Sequence, residues 1–475
     1  MRRAEARIAA FYRSFLPDSR YRRFHPVYLL KFIQKYLILY LLPLVRALLI
    51  WDWAAFWLAL RQSAVLLLAA ALLAALEWRS GGWFCDADGT LHLRRGLLRR
   101  QHLVVRGEAL AAVRTDRALY HRAMGAGVLT LYYAQAQKPG TLTLYLTRRD
   151  CEQLAARLMP ADGAPFYRAV GGERLSLTLL GVDTVTTGLF LWAALRQTED
   201  FGRWAEQIAL TGLGRVAAAA ATWLPVGTAW LLTAAAALLF FSVGRSVFHT
   251  MNYSVYKSDD VILSSGGFLH LSSCRVRVSA ITACDIRATP TARLLRRYPV
   301  YLTAGSYTGG ELPVFLYRAG HDAQLHALLP LAVPPKKQFV DTKGRSLVAF
   351  LWLPACLSGL LLLLAMLAVR LLPDLAAAFF LAALGFLLML GVGLEGFRRE
   401  TVNRAGTVLA VCTVRFYTLH YWSIFGDVPQ TVFSQSVWAY AVRRGSLMLC
   451  LPCGVRIRVK SIPEAEAEPA KKNAK

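Results

Sequence analysis

The sequence predicts an α-helical transmembrane protein of about six spans in three hairpins, alternating with three β-rich domains. Three observations predict it. The 475-residue chain joins a mean hydropathy of +0.40 to a net charge of +26, which a soluble chain of several domains would not normally do. The two properties are segregated: long Ala/Leu runs carry almost no charge, and the stretches between them are rich in arginine. Those stretches also show the alternation and Gly/Pro turns of short strands.

A bilayer core of roughly 30 Å needs ~20 mostly apolar residues in a helix. Six runs meet that length, paired as 28–50 with 53–76, 175–195 with 216–243, and 347–371 with 375–394. Trp51-Asp52-Trp53 and Leu372-Pro373-Asp374 are the turns of the first and third pairs. Lys31 and Lys35 lie near the start of the first run, where their stems can snorkel to the interface. Arg2, Arg3, Arg7, Arg13, Arg20, Arg22 and Arg23 precede the first run, and Arg398, Arg399 and Arg404 follow the sixth. The positive-inside rule then expects a cell-membrane protein with both termini and the intervening domains in the cytoplasm. The long polar N-terminus is expected to carry no cleavable signal peptide. Residues 2–16 and 198–210 have the spacing of interfacial amphipathic helices, or of ordinary helices packed on the protein.

The expected organisation is a basic segment at 1–27, hairpins at 28–76, 171–247 and 345–394, β-domains at 77–170, 248–335 and 395–463, and a disordered tail at 464–475. In the first β-domain, strands are expected at 90–93, 101–105, 128–133 and 141–146, with a turn at Lys138-Pro139-Gly140. A helix follows: Thr147 and Asp150 form an N-cap pair, Leu154 and Leu158 face inward, and Pro160 stops it. The next domain repeats this order about 170 residues later, Gly96-Leu97-Leu98 answering Gly267-Phe268-Leu269 and Met159-Pro160 answering Leu329-Pro330. The C-terminal domain is a third, worn copy without an evident closing helix.

With these parts in order, the chain resembles the bacterial PH-like domain membrane proteins of the YdbT type. The resemblance is carried by His25-Pro26 before the first span, Arg-Arg-Gly-Leu-Leu-Arg at 94–99, Leu-Ala-Ala-Val at 110–113, and a basic helical stretch at 117–125 ending in Gly. In the second copy Ser264 and Ser265 replace the arginines, and Tyr298-Pro299 stands where Gly125 would be. The third copy keeps only the Val-Pro…Phe-Ser-Gln-Ser core at 428–436. The resemblance implies a PH-like fold for each domain, a bent β-sandwich or barrel capped by one C-terminal helix. It does not imply phosphoinositide binding, because function is grafted onto folds.

Arg94, Arg95, Arg99 and Arg100, close to the end of the second span, are the candidate lipid- or partner-binding residues. Basic residues there each gain about 1 kcal/mol from an anionic leaflet; fixing topology alone would need them equally. Asp183, Arg46 and Arg61 are the polar residues within spans, read either as a structural Asp–Arg pair or arginines snorkelling outward, or as a polar pathway or substrate-sensing site. Cys450 and Cys453 fall at a strand turn without a second pair, and the nine histidines show no metal-ligand spacing. Scattered cysteines fit a reducing compartment. No catalytic set, cofactor or metal is expected. The leading expectation is a non-enzymatic scaffold at the inner leaflet, in envelope stress or export. It would bind anionic headgroups, peptides, or a smaller PH-like membrane protein, or would self-associate; nucleic acid is not an expected partner. The alternatives are a transporter or export component using Asp183, and a membrane enzyme acting on lipid or envelope precursors.

Overall fold

A computed structural model describes residues 20–29, 53–96, 101–134, 140–161, 163–180, 246–309, 312–335, 346–371, 373–415, 417–426, 428 and 430–464. Residues 20–29 form a strap, and helix α1 covers Trp53–Ser80. The first unit is β1 (Gly82–Cys85), β2 (Thr90–Arg95), β3 (Gln101–Arg106), a 3-10 turn at Gly107–Ala109, β4 (Leu110–Arg117), α2 (Leu119–Ala123), β5 (Ala126–Tyr133), β6 (Thr141–Thr147) and α3 (Arg148–Leu158). Strand β7 (Ala164–Arg168) and helix α4 (Gly172–Leu180) come next. The second unit repeats the order: β8 (Ser254–Lys257), β9 (Val261–Gly266), β10 (Leu271–Arg277), a 3-10 turn at Val278–Ala280, β11 (Ile281–Ala288), α5 (Pro290–Leu295), β12 (Arg297–Ala304), β13 (Phe315–Arg318) and α6 (Asp322–Leu328). Helices α7 (Val348–Leu371) and α8 (Pro373–Arg399) pack side by side. The third unit is β14 (Thr401–Ala405), β15 (Val408–Arg415), β16 (Thr418–Phe425), β17 (Gln430–Ser434), α9 (Val437–Ala441), β18 (Arg444–Cys450) and β19 (Arg456–Pro463).

Local chemistry explains these elements. Strand β6 alternates buried Leu142, Leu144 and Leu146 with outward residues, the period of a half-buried strand. Helix α3 starts where the Thr147 hydroxyl accepts from the Asp150 amide at 3.2 Å, and it buries Cys151, Leu154, Ala155 and Leu158. The three short helices share one design. Each is preceded by an extended N-cap (Ala118, Thr289 or Ser436). Each ends at a left-handed residue: Gly125 (φ 68°), Arg296 (φ 52°) and Arg443 (φ 50°). Arg296, and not Tyr298-Pro299, therefore stands in the place of Gly125, and it holds a conformation that costs a non-glycine residue about 1 kcal/mol or more.

The units are fused through their sheets. Four antiparallel sheets run β1-β2-β3, β6-β5-β4-β10-β9-β8-β7, β13-β12-β11-β16-β15-β14 and β17-β18-β19. Each central sheet thus joins the second half of one unit to the first half of the next, through β4·β10 and β11·β16. Because side chains alternate across a strand, one face of a shared strand serves each unit. Val113 of β4 belongs to the first unit's core with Leu91, Leu129 and Leu154. Its neighbour Ala112 belongs to the second unit's core with Val276, Ile286 and Phe315. The third core gathers Val411, Trp422, Leu449 and Ile457.

The expected fold class is corrected here. Among the described residues the architecture is β-rich, with nineteen strands in several antiparallel sheets, and it is not a six-span helical one. Among the described residues one helical stretch is long and apolar enough to cross a membrane by length and composition, Val348–Leu367 in α7. An apolar run records composition and says nothing of what its helix serves. The far end of α1 shows the difference: Trp78 Nε1 donates to the Phe24 carbonyl at 2.7 Å, and Glu77 accepts from the Tyr28 hydroxyl at 2.8 Å, both in the strap. Most of the run at 28–50, most of that at 175–195 and all of that at 216–243 lie outside the described residues.

Candidate functional site

The two junctions carry matching polar clusters. On β4, Arg114 Nε pairs with Asp116 at 2.8 Å, and His270 Nε2 of the next unit reaches the same carboxylate at 3.3 Å. On β11, Arg287 Nε pairs with Asp285 at 2.7 Å, and His420 Nδ1 meets both Asp285 oxygens at 3.1 Å. Arg114 and Asp285 occupy corresponding positions, as do Asp116 and Arg287, so the second junction carries the same charges in reversed order. Asp285 is 1% exposed, and Arg287 lies 3.8 Å from the centre of the Tyr301 ring. Burial pushes the Asp116 carboxyl up, but hydrogen bonds from His270 and Ser272 and the Arg114 charge outweigh it and hold the group below its usual range. A second contact repeats too. Arg122 of α2 donates to the Phe268 carbonyl at 2.6 Å, and Arg293 of α5 donates to the Tyr417 carbonyl at 2.8 Å. Helices α2 and α5 thus each clasp a turn of the following unit.

Of the sequence-derived candidates, Arg94, Arg95 and Arg61 lie among the described residues. Arg94 and Arg95 end β2, opposite His102 and Gln101 of β3. As consecutive strand residues they point to opposite faces, and both are half-buried. Arg95 lines a narrow cleft with Phe24, Tyr28, Leu142 and Tyr145. Arg61 is exposed on α1. Arg99, Arg100, Arg46 and Asp183 lie outside the described residues.

Two larger clefts were not foreseen. One, of about 400 Å³, is lined by Arg20, Arg22, Arg157, Asp86 and Asp150, and Arg22 pairs there with Asp150 at 2.9 Å. Asp86 pairs instead with His92, at 2.8 Å. The other, of about 390 Å³, is lined by Arg168, Ala169, Val170, Gly171, Arg174, Asn252 and Tyr253. Among the described residues its lining carries two arginines and no carboxylate. Arg168 ends β7, Arg174 lies in the first turn of α4, and Gly171 and Asn252 turn the backbone in left-handed conformations (φ 54° and 56°). Its signal in the sequence is two arginines flanking Gly171-Gly172 just before an apolar run.

Five of the cysteines, Cys151, Cys274, Cys284, Cys412 and Cys453, are buried. Burial pushes the Cys151 thiol up to about 12 and Cys274 up to about 11. Cys450 ends β18 and Cys453 is buried in the hairpin turn before β19. Among the described residues no group of three or more His, Cys, Asp or Glu is placed to hold a metal ion.

No curated protein and no solved structure matches the chain. Residues 36–162 match the family model described as bacterial PH domain, which takes in α1, β1 to β6 and α3, so the chain carries a bacterial PH-like domain.

Proposed function

We propose that this protein is a non-enzymatic binding scaffold at the cell membrane. Its PH-like units are fused into a rigid ladder on the cytoplasmic side and hold anionic headgroups or a membrane-protein partner. The observation that carries the reading is the Arg168/Arg174 cleft, a recess at the root of α4 whose charged lining among the described residues is two arginines. Arginine suits phosphate because its planar fork donates two parallel hydrogen bonds. Two further features support a membrane setting. Helix α7 has a mean hydropathy of 2.3 over Val348–Leu367 and exposes Trp352, Leu353, Leu363 and Met366. Its partner α8 is tied to the ladder by Arg293, which pairs with Glu395 at 2.7 Å.

The test is phospholipid binding by the full chain in mild detergent, comparing short-chain anionic with zwitterionic lipid. Wild type is expected to prefer the anionic lipid. Arg168→Gln/Arg174→Gln should weaken that binding about 30-fold, from ~1 kcal/mol per arginine. Equal binding of both lipids by wild type would remove the lipid version and leave the protein partner.

A further inference from the structure

Among the described residues the ladder has two open ends, and each is half of a junction that the molecule already builds twice. Strand β17 corresponds to β4 and β11, which pair with the following unit; β17 is the outer strand of its sheet. Strand β3 corresponds to β10 and β16, which pair with the preceding unit; β3 is likewise an outer strand. Among the described residues no strand pairs with the other edge of either. The correspondence is fixed by the 3-10 turn after β3 and β10, and by the short helix with an extended N-cap after β4, β11 and β17.

Side chains change at the open ends in a way that removes charge. Where the internal junctions hold Arg114 or Asp285, β17 holds Val432, 37% exposed. Where α2 and α5 hold the clasping Arg122 and Arg293, α9 holds Tyr440, 72% exposed. On β3, Val104 is 58% exposed. Edge strands left in water are normally protected by lysine, proline or inward charges. The β17 segment Gln-Thr-Val-Phe-Ser has none of these.

We infer that β17 of one copy pairs with β3 of a second copy, in the antiparallel register of the internal junctions. That register sets Val432 opposite Leu103, as Arg114 is opposite Cys274, and Thr431 opposite Val104, as Val113 is opposite Arg275. The apolar pair then replaces the buried ions of the internal junctions. The contact is heterologous, so copies add head to tail and either close into a ring or extend in a row. The inference is independent of lipid binding at Arg168 and Arg174.

The test uses the full chain in mild detergent, with mass measured at about 100 µM, where a millimolar contact would remain mostly dissociated. Wild type is expected to be multimeric. Thr431→Glu and Val104→Lys, each on an outer strand, should each be monomeric, since in either variant every copy lacks one of the two edges that each contact needs, and each should keep the wild-type unfolding transition. A mixture of Thr431→Glu with Val104→Lys places Glu opposite Lys and should associate further than either variant alone. A monomeric wild type would overturn the inference. So would Thr431→Glu assembling to the wild-type mass. Loss of assembly in Thr431→Glu with none in Val104→Lys would replace it by a β17-to-β17 dimer.

Discussion

Removing the Asp285 carboxylate should open the junction between the second and third units without unfolding the first. Asp285 is 1% exposed and accepts from Arg287 at 2.7 Å and from His420 at 3.1 Å. A hydrogen bond to a charged partner is worth ~1.5–3 kcal/mol and an ordinary one ~1 kcal/mol. In Asp285→Ala both are lost. Arg287 is already 32% exposed and keeps its place over Tyr301, so water recovers part of the loss. A net cost of about 3 kcal/mol follows, at the lower end of what breaking a buried pair costs. The assay is amide hydrogen exchange, because a chain of several units has no single unfolding free energy. Exchange in β11 and β16 should rise about 100-fold, while α3 and β6 keep wild-type protection. Swapping the pair, Asp285→Arg with Arg287→Asp, copies the order found at Arg114 and Asp116 and should recover most of the protection. Unchanged exchange in β16 of Asp285→Ala would refute the idea that the polar cluster holds the junction.

Gly305→Ala should cost about 3 kcal/mol or more: φ is 51°, and an added Cβ would run into the Tyr133 carbonyl and the Ala134 backbone of the first unit; a melting temperature equal to wild type would contradict this. The first junction should weaken in acid. Asp116 has a lowered folded value, so its stabilisation is present above the ordinary carboxylate range and is lost as pH falls below about 4; exchange in β4 and β10 measured across that range checks the sign. Thiol labelling separates the cysteines. Cys151 and Cys412, both pushed up to about 12 by burial, should resist maleimide at pH 8, whereas Cys356 on α7 is exposed on the protein and should label in detergent but not in lipid vesicles. Labelling of Cys356 in intact vesicles would argue against a lipid-facing α7.

Local elements were legible where a single segment states its own chemistry. Alternating leucines gave β6, and Thr147 with Asp150 gave the start of α3. The first meander of the third unit, Thr401–Phe425, was not named as strands from the sequence. Nor was α9, where Val437 continues an apolar alternation but Ser436 caps a helix through the Ala439 amide at 3.3 Å. The junctions were invisible for a different reason. Arg114 and Asp116 look like surface charges until His270, 154 positions away, is brought beside them. Likewise the basic cleft depends on Asn252 and Tyr253 returning to Arg168 across a long separation. Arginine density in the sequence points to Arg94, Arg95, Arg99 and Arg100, and of these strand alternation sends Arg94 and Arg95 to opposite faces.

The shared sheets also decide how the apolar helices and the β-units act on one another. A PH-like unit on a flexible linker would move independently of any helix beside it. Here α8 ends between two units. Glu395 takes Arg293 from α5 of the second unit and lies 3.5 Å from Arg399 of its own helix. Glu400, buried just beyond the helix, accepts from the Lys460 amide of β19 in the third unit at 2.9 Å. The start of α7 is held by the same strand, where the Lys460 ammonium lies 5.5 Å from the centre of the Phe350 ring. The helix pair is therefore clamped at its base by two units that are themselves joined through β11·β16. Any tilt of α7 and α8 must strain that junction, and any ligand that shifts the second unit against the third must pull on the helices. The buried cluster at Asp285 lies within this clamp, so its loss should free the helices as well as the sheet.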